Sequence, residues 1–360
     1  MSVFSSCRLL IISSFTILAS ILLFPSTGEC QVISGHSRFL LVAPDARGKS
    51  LADGGSVFSK SAASVYYNPA LLVTGYQFSA EVNYCKHLPL LSDVSISNYF
   101  ISKSLNDWGY FGIGYSRHDY GGGERLDEYY RTIKPYAYSL GIWYAISFDP
   151  YNSCGIGVKF IKIHAGRYRI DSSTLEASSM AIDFGMLSRN HLPQATWQND
   201  EIFYPHINRL FKVERDKGFS FGISFSNLGR DLEYEHYPYS ESIPKRLRVA
   251  AGYQAVDSEP VGLRLTVDAT RVLIDMDDSF REEWSEVAWS YGLESTFYYI
   301  VHFRFGRLLD RGDHQRYNTI GFGVGPEWLS LDYSYVLDSD DRWNRSGEEY
   351  SFSLRCNISP

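Results

Sequence analysis

Bulky apolar residues and small residues alternate at every second position along most of this chain. In GFSFGISFSNLG (218–229), the residues Phe219, Phe221, Ile223 and Phe225 alternate with serine and glycine. Successive side chains of a strand point to opposite faces, so this segment predicts a strand with one bulky apolar face and one small, uncharged face. The same period predicts strands in PYAYSLGIWYAISF, WLSLDYSYVL and EYSFSLRC.

The alternation predicts about fourteen strands between residue 76 and the end of the chain, and no sustained helical period competes with it there. The predicted strands lie near residues 76–85, 92–103, 108–118, 135–149, 152–165, 177–188, 218–228, 244–256, 259–271, 286–296, 298–307, 316–325, 327–337 and 347–358.

The connections between these strands alternate in length. Short ones fall near residues 105, 150, 257, 298 and 326, and long polar ones at 119–134, 227–243, 274–284 and 337–349. Short turns on one rim, long loops on the other and an even strand number are typical of an outer-membrane barrel with both chain ends in the periplasm. Residues 189–217 break the rule, which indicates either a periplasmic insertion or a wrong strand count at that point.

The small second face favours a membrane barrel over the alternative, a secreted soluble β-protein. In a soluble sandwich the face away from the core meets water and carries Lys, Glu, Thr and Arg, whereas here it carries mostly Ser, Gly and Ala. A closed barrel satisfies every backbone polar group and turns its bulky face to lipid. We therefore predict an all-β fold, a transmembrane antiparallel β-barrel of about 14 strands in the cell outer membrane.

Composition narrows the class further. Aromatic residues make up 16 % of the chain, with 27 Tyr against 4 Met, which excludes a bundle of apolar membrane helices. The net charge of −7 is spread along the chain and leaves no basic surface for nucleic acid. The apolar run Leu9–Phe24 after Arg8 predicts a signal peptide over residues 1–30, cleaved near Cys30; an anchoring helix is the alternative.

Catalytic and metal-binding motifs are absent from the sequence. Cys85, Cys154 and Cys356 fall within strand patterns without a CxxC pair, no GxSxG elbow is present, and the nine His form no ligand pair. We therefore predict no enzyme activity, no cofactor and no metal. Two acidic loop clusters could hold a divalent cation that bridges lipopolysaccharide phosphates, or could simply be solvated; they contain Asp275, Asp277 and Asp278, and Asp338, Asp340 and Asp341.

The segment from Val42 to Gly75 has a different composition and pattern, with many glycines and no sustained alternation. It predicts a compact coil with a short helical turn near 59–65, followed by a turn at Tyr67-Asn68-Pro69-Ala70 that leads into the first strand. A segment this small cannot enclose a core of its own. We expect it to pack in the barrel lumen.

Four motifs together carry a family resemblance: PDARG (44–48), LADGGSVFSKSAAS (51–64), YYNPALL (66–72) and FSNLG (225–229). With them the chain resembles the PorV/PorQ family of bacterial outer-membrane proteins, which is related to the FadL-type long-chain fatty acid transporters. The resemblance covers the mature chain and is strongest over residues 40–75. It implies a fourteen-stranded barrel, in which residues 31–75 enter the lumen as a hatch and residues 76–360 form the wall.

The resemblance and the composition of the segment from Val42 to Gly75 together suggest two sets of candidate site residues. The hatch motif comprises Pro44, Asp45, Gly48, Gly54, Gly55, Tyr67, Asn68, Pro69 and Ala70. Candidate contacts for a hydrophobic ligand are Phe58, Val65, Tyr66, Leu71 and Leu72.

Two functions follow from the resemblance. Members like PorV act in type IX secretion, which implies secretion-system proteins or cargo as partners, beside outer-membrane lipid and lipopolysaccharide. FadL-like relatives pass hydrophobic molecules inward, which implies a small hydrophobic ligand such as a fatty acid or hydrocarbon. The first is the principal hypothesis and the second is the alternative.

Overall fold

The structure is a computed structural model. It describes residues 37–87, 94–121, 135–167, 174–191, 218–234, 240–258, 260–273, 286–311, 315–326, 328–339 and 349–358. The predicted signal peptide and most of the acidic loop residues lie outside the described residues.

Sixteen strands occur in the described residues. They are β1 Phe78–Lys86, β2 Val94–Ser104, β3 Tyr110–Tyr120, β4 Tyr136–Ser147, β5 Asn152–Arg167, β6 Thr174–His191, β7 Gly218–Gly229, β8 Leu232–Tyr234, β9 Ser240–Glu241, β10 Arg246–Asp257, β11 Val261–Val272, β12 Ala288–Phe297, β13 Val301–Asp310, β14 Gln315–Val324, β15 Leu329–Ser339 and β16 Tyr350–Ile358. All strands of the barrel coincide with predicted segments, and the boundaries differ by a few residues at most.

Fourteen of these strands close into a ring, and every neighbouring pair in it is antiparallel. Closure is made by β1 and β16, which pair over their whole length from Phe78 opposite Ile358 to Lys86 opposite Tyr350. The two short strands, β8 and β9, form a hairpin in the β7–β10 connection. In this hairpin β8 pairs with β6 near the beginning of that strand. The predicted closed antiparallel barrel is confirmed.

The bulky face of each strand points outward and the small face points inward. In β4 the outward Leu140 and Ile142 are 47 % and 50 % exposed, whereas the inward Ala137 and Ala145 are fully buried. In β7 Phe221 is exposed and Ser220 and Ser224 are buried. Large exposed apolar side chains around a closed ring are the pattern expected when the surrounding medium is hydrocarbon.

The two rims differ as the loop lengths predict. The short turns lie on the rim where β1 begins and β16 ends, and the β12–β13 turn is so tight that Tyr298 and Tyr299 both have positive φ, 51° and 55°. β6 ends at His191, β7 begins at Gly218 and the two strands pair directly, so the ring of fourteen strands needs no further strand from residues 192–217, which lie outside the described residues.

Within the described part of the chain, no helix is long and apolar enough to cross a membrane. Cys85, Cys154 and Cys356 are free thiols. The buried apolar clusters lie inside the ring, between the wall and the chain that precedes β1.

The free-energy cost of placing a charge on the lipid-facing surface should depend on its depth in the membrane. Leu265 is 45 % exposed at the middle of β11. We expect Leu265→Arg to lower the free energy of unfolding in lipid vesicles by about 2–4 kcal/mol, because arginine at the midplane loses its hydration. Urea unfolding would measure this, with retarded gel mobility after boiling as the test for a folded barrel.

The matched control is Trp108→Arg. Trp108 is 79 % exposed in the turn between β2 and β3, at the membrane boundary. There the cost should be only about 0–1 kcal/mol. Equal costs at the two positions would contradict the membrane-facing assignment of the β11 surface.

Candidate functional site

The chain from Ser37 to Gly75, here called the N-terminal segment, forms four short helical turns. They are a 3₁₀ turn at Ser37–Leu41, helix α1 at Ala46–Ser50, and 3₁₀ turns at Ala62–Tyr66 and Pro69–Thr74. Nearly all of its side chains are buried, and it contacts each of the fourteen strands of the barrel. Most of the inward-facing surface of the wall is therefore covered by the protein's own chain.

The segment runs from the long-loop rim to the short-turn rim. At the long-loop rim Phe39 and Leu40 pack against Ile163, Leu232 and other buried apolar side chains. The backbone N–H of Ser37 donates to Glu241 of β9 at 2.7 Å. At the opposite rim the segment passes directly into β1.

Asp45, Gly48 and Tyr67 form one unit that fixes α1. The Asp45 carboxylate caps the helix by accepting from the Gly48 N–H at 3.0 Å, and it also accepts from the Tyr67 hydroxyl at 2.7 Å. A Cβ at position 48 would lie 1.6 Å from that hydroxyl, so only glycine fits. Pro44, just before the cap, accepts from the Asn98 side chain of β2 at 3.0 Å.

Asn68, Pro69 and Ala70 attach the segment to β5, β6 and β7. The Asn68 Oδ1 atom caps the following turn by accepting from the Ala70 N–H at 2.9 Å, and Pro69 occupies its first position. The Asn68 Nδ2 atom donates to the backbone oxygens of Met186 and Ile223 at 2.9 and 3.3 Å. A side-chain amide with both ends engaged is well suited to hold a turn against a sheet.

Arg246 of β10 contacts the middle of the segment. Arg246 donates to the Tyr66 hydroxyl at 2.7 Å and to its backbone oxygen at 2.8 Å, and its guanidinium lies 4.3 Å from the Tyr66 ring centroid. The Tyr66 hydroxyl in turn donates to the Leu41 oxygen at 2.6 Å.

Gly54 and Gly55 lie where the segment turns beneath β11. Gly55 has a positive φ of 79°, and its N–H donates to Asp268 of β11 at 2.9 Å. Arg248 of β10 forms an ion pair with Asp53 at 2.8 Å beside this turn. The sequence motif ADGG thus corresponds to a turn held by charges from two strands.

A belt of buried charges connects α1 to five strands near the short-turn rim. Arg47 and Arg304 both bind Glu294, each at 2.7 Å, and Arg304 also binds Asp332 at 2.6 Å. Arg264 and Arg355 extend the belt at 3.6 Å from Glu294 and Asp332 respectively. Gly323 faces the Arg304–Asp332 pair, and a Cβ there would lie 2.3 Å from Asp332 Oδ1.

A second ionic contact holds α1 near the long-loop rim. Lys49 forms an ion pair with Glu349, which precedes β16, and its Nζ atom lies 2.9 Å from the Cys85 Sγ. His87 Nδ1 lies 3.5 Å from the same carboxylate. Burial alone would raise the pKa of Glu349, but Lys49 and His87 outweigh it and hold the pKa well below its ordinary value.

The five candidate ligand contacts divide between two apolar clusters. Phe58 and Leu71 pack with Leu187 and Ala250, and Tyr66 lies at the edge of this cluster. Val65 and Leu72 pack with Phe100 and Trp143. Between the segment and β2–β5 is a cavity of about 40 Å³, bordered among others by Phe39, Leu40, Tyr66, Trp143 and Lys159. Tyr66 thus borders a cavity, whereas contact of any of the five with a ligand stays a prediction.

Sequence reasoning missed the lumen charges. It treated the inward face as uncharged, yet Arg246, Arg248, Glu294, Arg304 and Asp332 are all buried on it. Each occupies an inward position of its strand, among small residues. An isolated charge at such a position was the available signal, because a buried charge requires a partner.

The fold defines a class of protein, the closed outer-membrane-type barrels whose lumen holds their own N-terminal segment. Solved structures share this fold. The chain is similar to the Pseudomonas putida toluene transporter TodX, with 10 % identity and a TM-score of 0.53 over 91 % of this chain and 100 % of that one. It is also similar to the Ralstonia pickettii toluene transporter TbuX, with 10 % identity and a TM-score of 0.50 over 87 % and 98 %. At this identity the likeness establishes the fold alone.

The family follows from the sequence match. The model for the type IX secretion system protein PorV matches residues 25–278. The chain belongs to the PorV family, as the four motifs indicated. No curated protein matches the chain significantly.

The close approach of Asn68 to β6 can be tested by a double-mutant cycle. A Cβ at Gly185 would lie 2.0 Å from Asn68 Oδ1. We expect Gly185→Ala to destabilise the packed segment by about 1–3 kcal/mol through overpacking. Adding Asn68→Ala should cost less than the sum of the single changes, because it removes the clashing atoms. Trypsin cleavage after Arg47, Lys49 and Lys60 would report the loosening.

Gly262→Ala is the matched control, since the nearest atom to its Cβ would be 3.5 Å away, an ordinary contact. Additive costs in the cycle would show that Asn68 does not rest against Gly185.

The Lys49–Glu349 pair generates a prediction about pH. The pKa of Glu349 is lowered on folding, so the ionised side chain stabilises the folded state. This contribution is complete above the ordinary carboxyl pKa. It is lost only as the pH falls through the lowered pKa of the folded state. Trypsin cleavage after Lys49, measured relative to cleavage of an unfolded peptide at the same pH, should therefore stay unchanged from about pH 8 to pH 5.

Glu349→Gln should accelerate this cleavage across the whole range, since breaking a buried pair costs about 3 kcal/mol. Glu176→Gln, which removes the partner of Lys162 on β5, is the control and should have no effect on it. Protection in wild type that declines between pH 7 and pH 5 would show that the pair does not hold α1.

Proposed function

We propose that this protein acts in protein secretion at the outer membrane of a Gram-negative bacterium, by binding partner proteins of a type IX-like system and not by catalysis. Membership of the PorV family is the observation that carries the proposal. Type IX secretion is named in the description of that family and is applied to this chain here as a hypothesis.

The filled lumen supports a role in binding rather than conduction of proteins. The N-terminal segment contacts all fourteen strands and is held by ion pairs near both rims. A folded cargo protein has no path through such a barrel. We infer that cargo contacts its outer surfaces, with the long loops and the long-loop end of the segment as the contact surfaces.

We further propose that residues 31–75 act as a hatch. Gly48, Asn68 and Arg47 each fit a specific neighbour, which supports a fixed arrangement of the segment. Arg47, Lys49 and Asp53, in α1 and the adjoining turn, form ion pairs with the wall and would hold the hatch shut, while the turn at 68–70 would set its register against the wall.

A channel for hydrophobic solutes is the second candidate. Two transporters with the same fold are described as toluene transporters. The cavity of about 40 Å³ has aromatic and aliphatic residues such as Phe39 and Trp143 in its wall, together with polar ones such as Lys159. This candidate requires the segment to loosen enough to enlarge that space.

Deletion of the gene separates the two candidates. We expect the deletion strain to lose cell-surface or secreted proteins that bear a common sorting domain, with wild-type uptake of labelled fatty acid and toluene. Quantitative proteomics of the surface and the medium is the measurement.

Complementation with wild type and with Gly262→Ala should both restore secretion. Normal secretion together with reduced solute uptake, or an apolar molecule that copurifies in native mass spectrometry, would favour the channel instead.

A further inference from the structure

The outward side of hairpin β13–β14 carries three exposed arginines at its long-loop end. Arg307 lies in β13, Arg316 in β14 and Arg311 in the turn between them. Arg307 is opposite Asn318, and Arg316 is opposite Leu309. Arg307 and Arg316 are therefore diagonal neighbours on one face, roughly 7–8 Å apart. We call these three residues the arginine cluster.

Several other cations in the described part of the chain pair with a carboxylate, whereas the arginines of the cluster do not. Elsewhere on the outer surface Arg117 pairs with Asp119 at 2.7 Å and Lys162 pairs with Glu176 at 2.6 Å. Inside the lumen Arg304 binds two carboxylates. Among the described residues no side-chain partner occurs for Arg307, Arg311 or Arg316. Since guanidinium groups stay protonated, the cluster carries about three positive charges that no carboxylate of the described residues pairs with.

Its depth places it at the edge of the apolar band. Below Arg307 on the same face are Phe305 and Phe303, and the Phe303 ring lies 5.4 Å from that of Phe322 on β14. Arg307 is three residues before the end of β13 at Asp310. Long cationic side chains at such a level extend towards the headgroups while their stems stay in the apolar layer.

We propose that the arginine cluster binds the phosphates of a phosphorylated glycolipid in the outer leaflet, with the acyl chains lying along Phe303, Phe305 and Phe322. Guanidinium groups bind phosphate oxygens in a bidentate manner, which ammonium groups cannot do. The long-loop rim of outer-membrane barrels faces the cell exterior, so the lipid beside it belongs to the outer leaflet.

A lipid fits the cluster better than an acidic protein does. Arg307 and Arg316 lie within strands and face sideways, as do Phe305 and Ile320 beside them, which are 43 % and 42 % exposed. A soluble acidic partner approaching from above would meet Arg311 alone. The proposal does not depend on the secretion role.

Native mass spectrometry of the folded barrel in detergent tests the site. Bis-phosphorylated lipid A, enzymatically dephosphorylated lipid A and phosphatidylglycerol are the three probes. We expect Arg307→Gln/Arg316→Gln to weaken binding of bis-phosphorylated lipid A about tenfold or more. Arg307→Lys/Arg316→Lys should recover part of the loss, because charge returns without the bidentate geometry.

Arg117→Gln/Lys162→Gln is the matched control, since it also removes two outward cations at the level of the long-loop rim. It should leave binding within about twofold of wild type. Unchanged heat-dependent gel mobility would establish that each variant is folded. Equal losses in both double variants, equal binding of dephosphorylated lipid A, or tighter binding of phosphatidylglycerol would overturn the proposal.

Discussion

Backbone hydrogen bonding in a medium without water is the constraint on which this structure depends. A strand edge exposed to hydrocarbon leaves each N–H and C=O without a partner, at a cost of several kcal/mol per group. The pairing of β1 with β16 removes that edge. Once the ring is closed, the outward side chains at the middle of the membrane must be apolar, and charges at that depth must lie inside. The buried carboxylates and arginines of the lumen follow from that partition.

Closure also creates an interior that has to be occupied. The wall lines it with glycine and serine, which leave space, and with isolated charges, which demand partners. The N-terminal segment supplies both the volume and the partners: Asn68 lies in the space left by Gly185, and Arg47 provides a counter-charge to Glu294. Wall and segment are thus complementary in shape and charge, and removal of either would leave buried charges of the other without partners.

Two kinds of contact hold the segment, the ion pairs of α1 and the amide contacts of the 68–70 turn. Charged pairs resist separation strongly but are sensitive to loss of one partner, whereas the Asn68 contacts fix register through geometry. Such an arrangement suits a protein whose partners bind its surfaces. The outside is also uneven, since Arg117 and Lys162 pair with neighbouring carboxylates and the arginine cluster has no partner among the described residues.

The alternation of bulky and small residues determined the strands, their number and their orientation, because the period of two is a local property of the chain. The PDARG and YYNPALL motifs likewise indicated the family. Partners that are distant in sequence were decided only by the tertiary structure. Arg47 and Glu294 are 247 residues apart, and the fit of Asn68 to Gly185 exists only once β6 stands beside the segment. Local pattern can place a charge on a face, but which opposite charge meets it depends on how the ring closes around the segment.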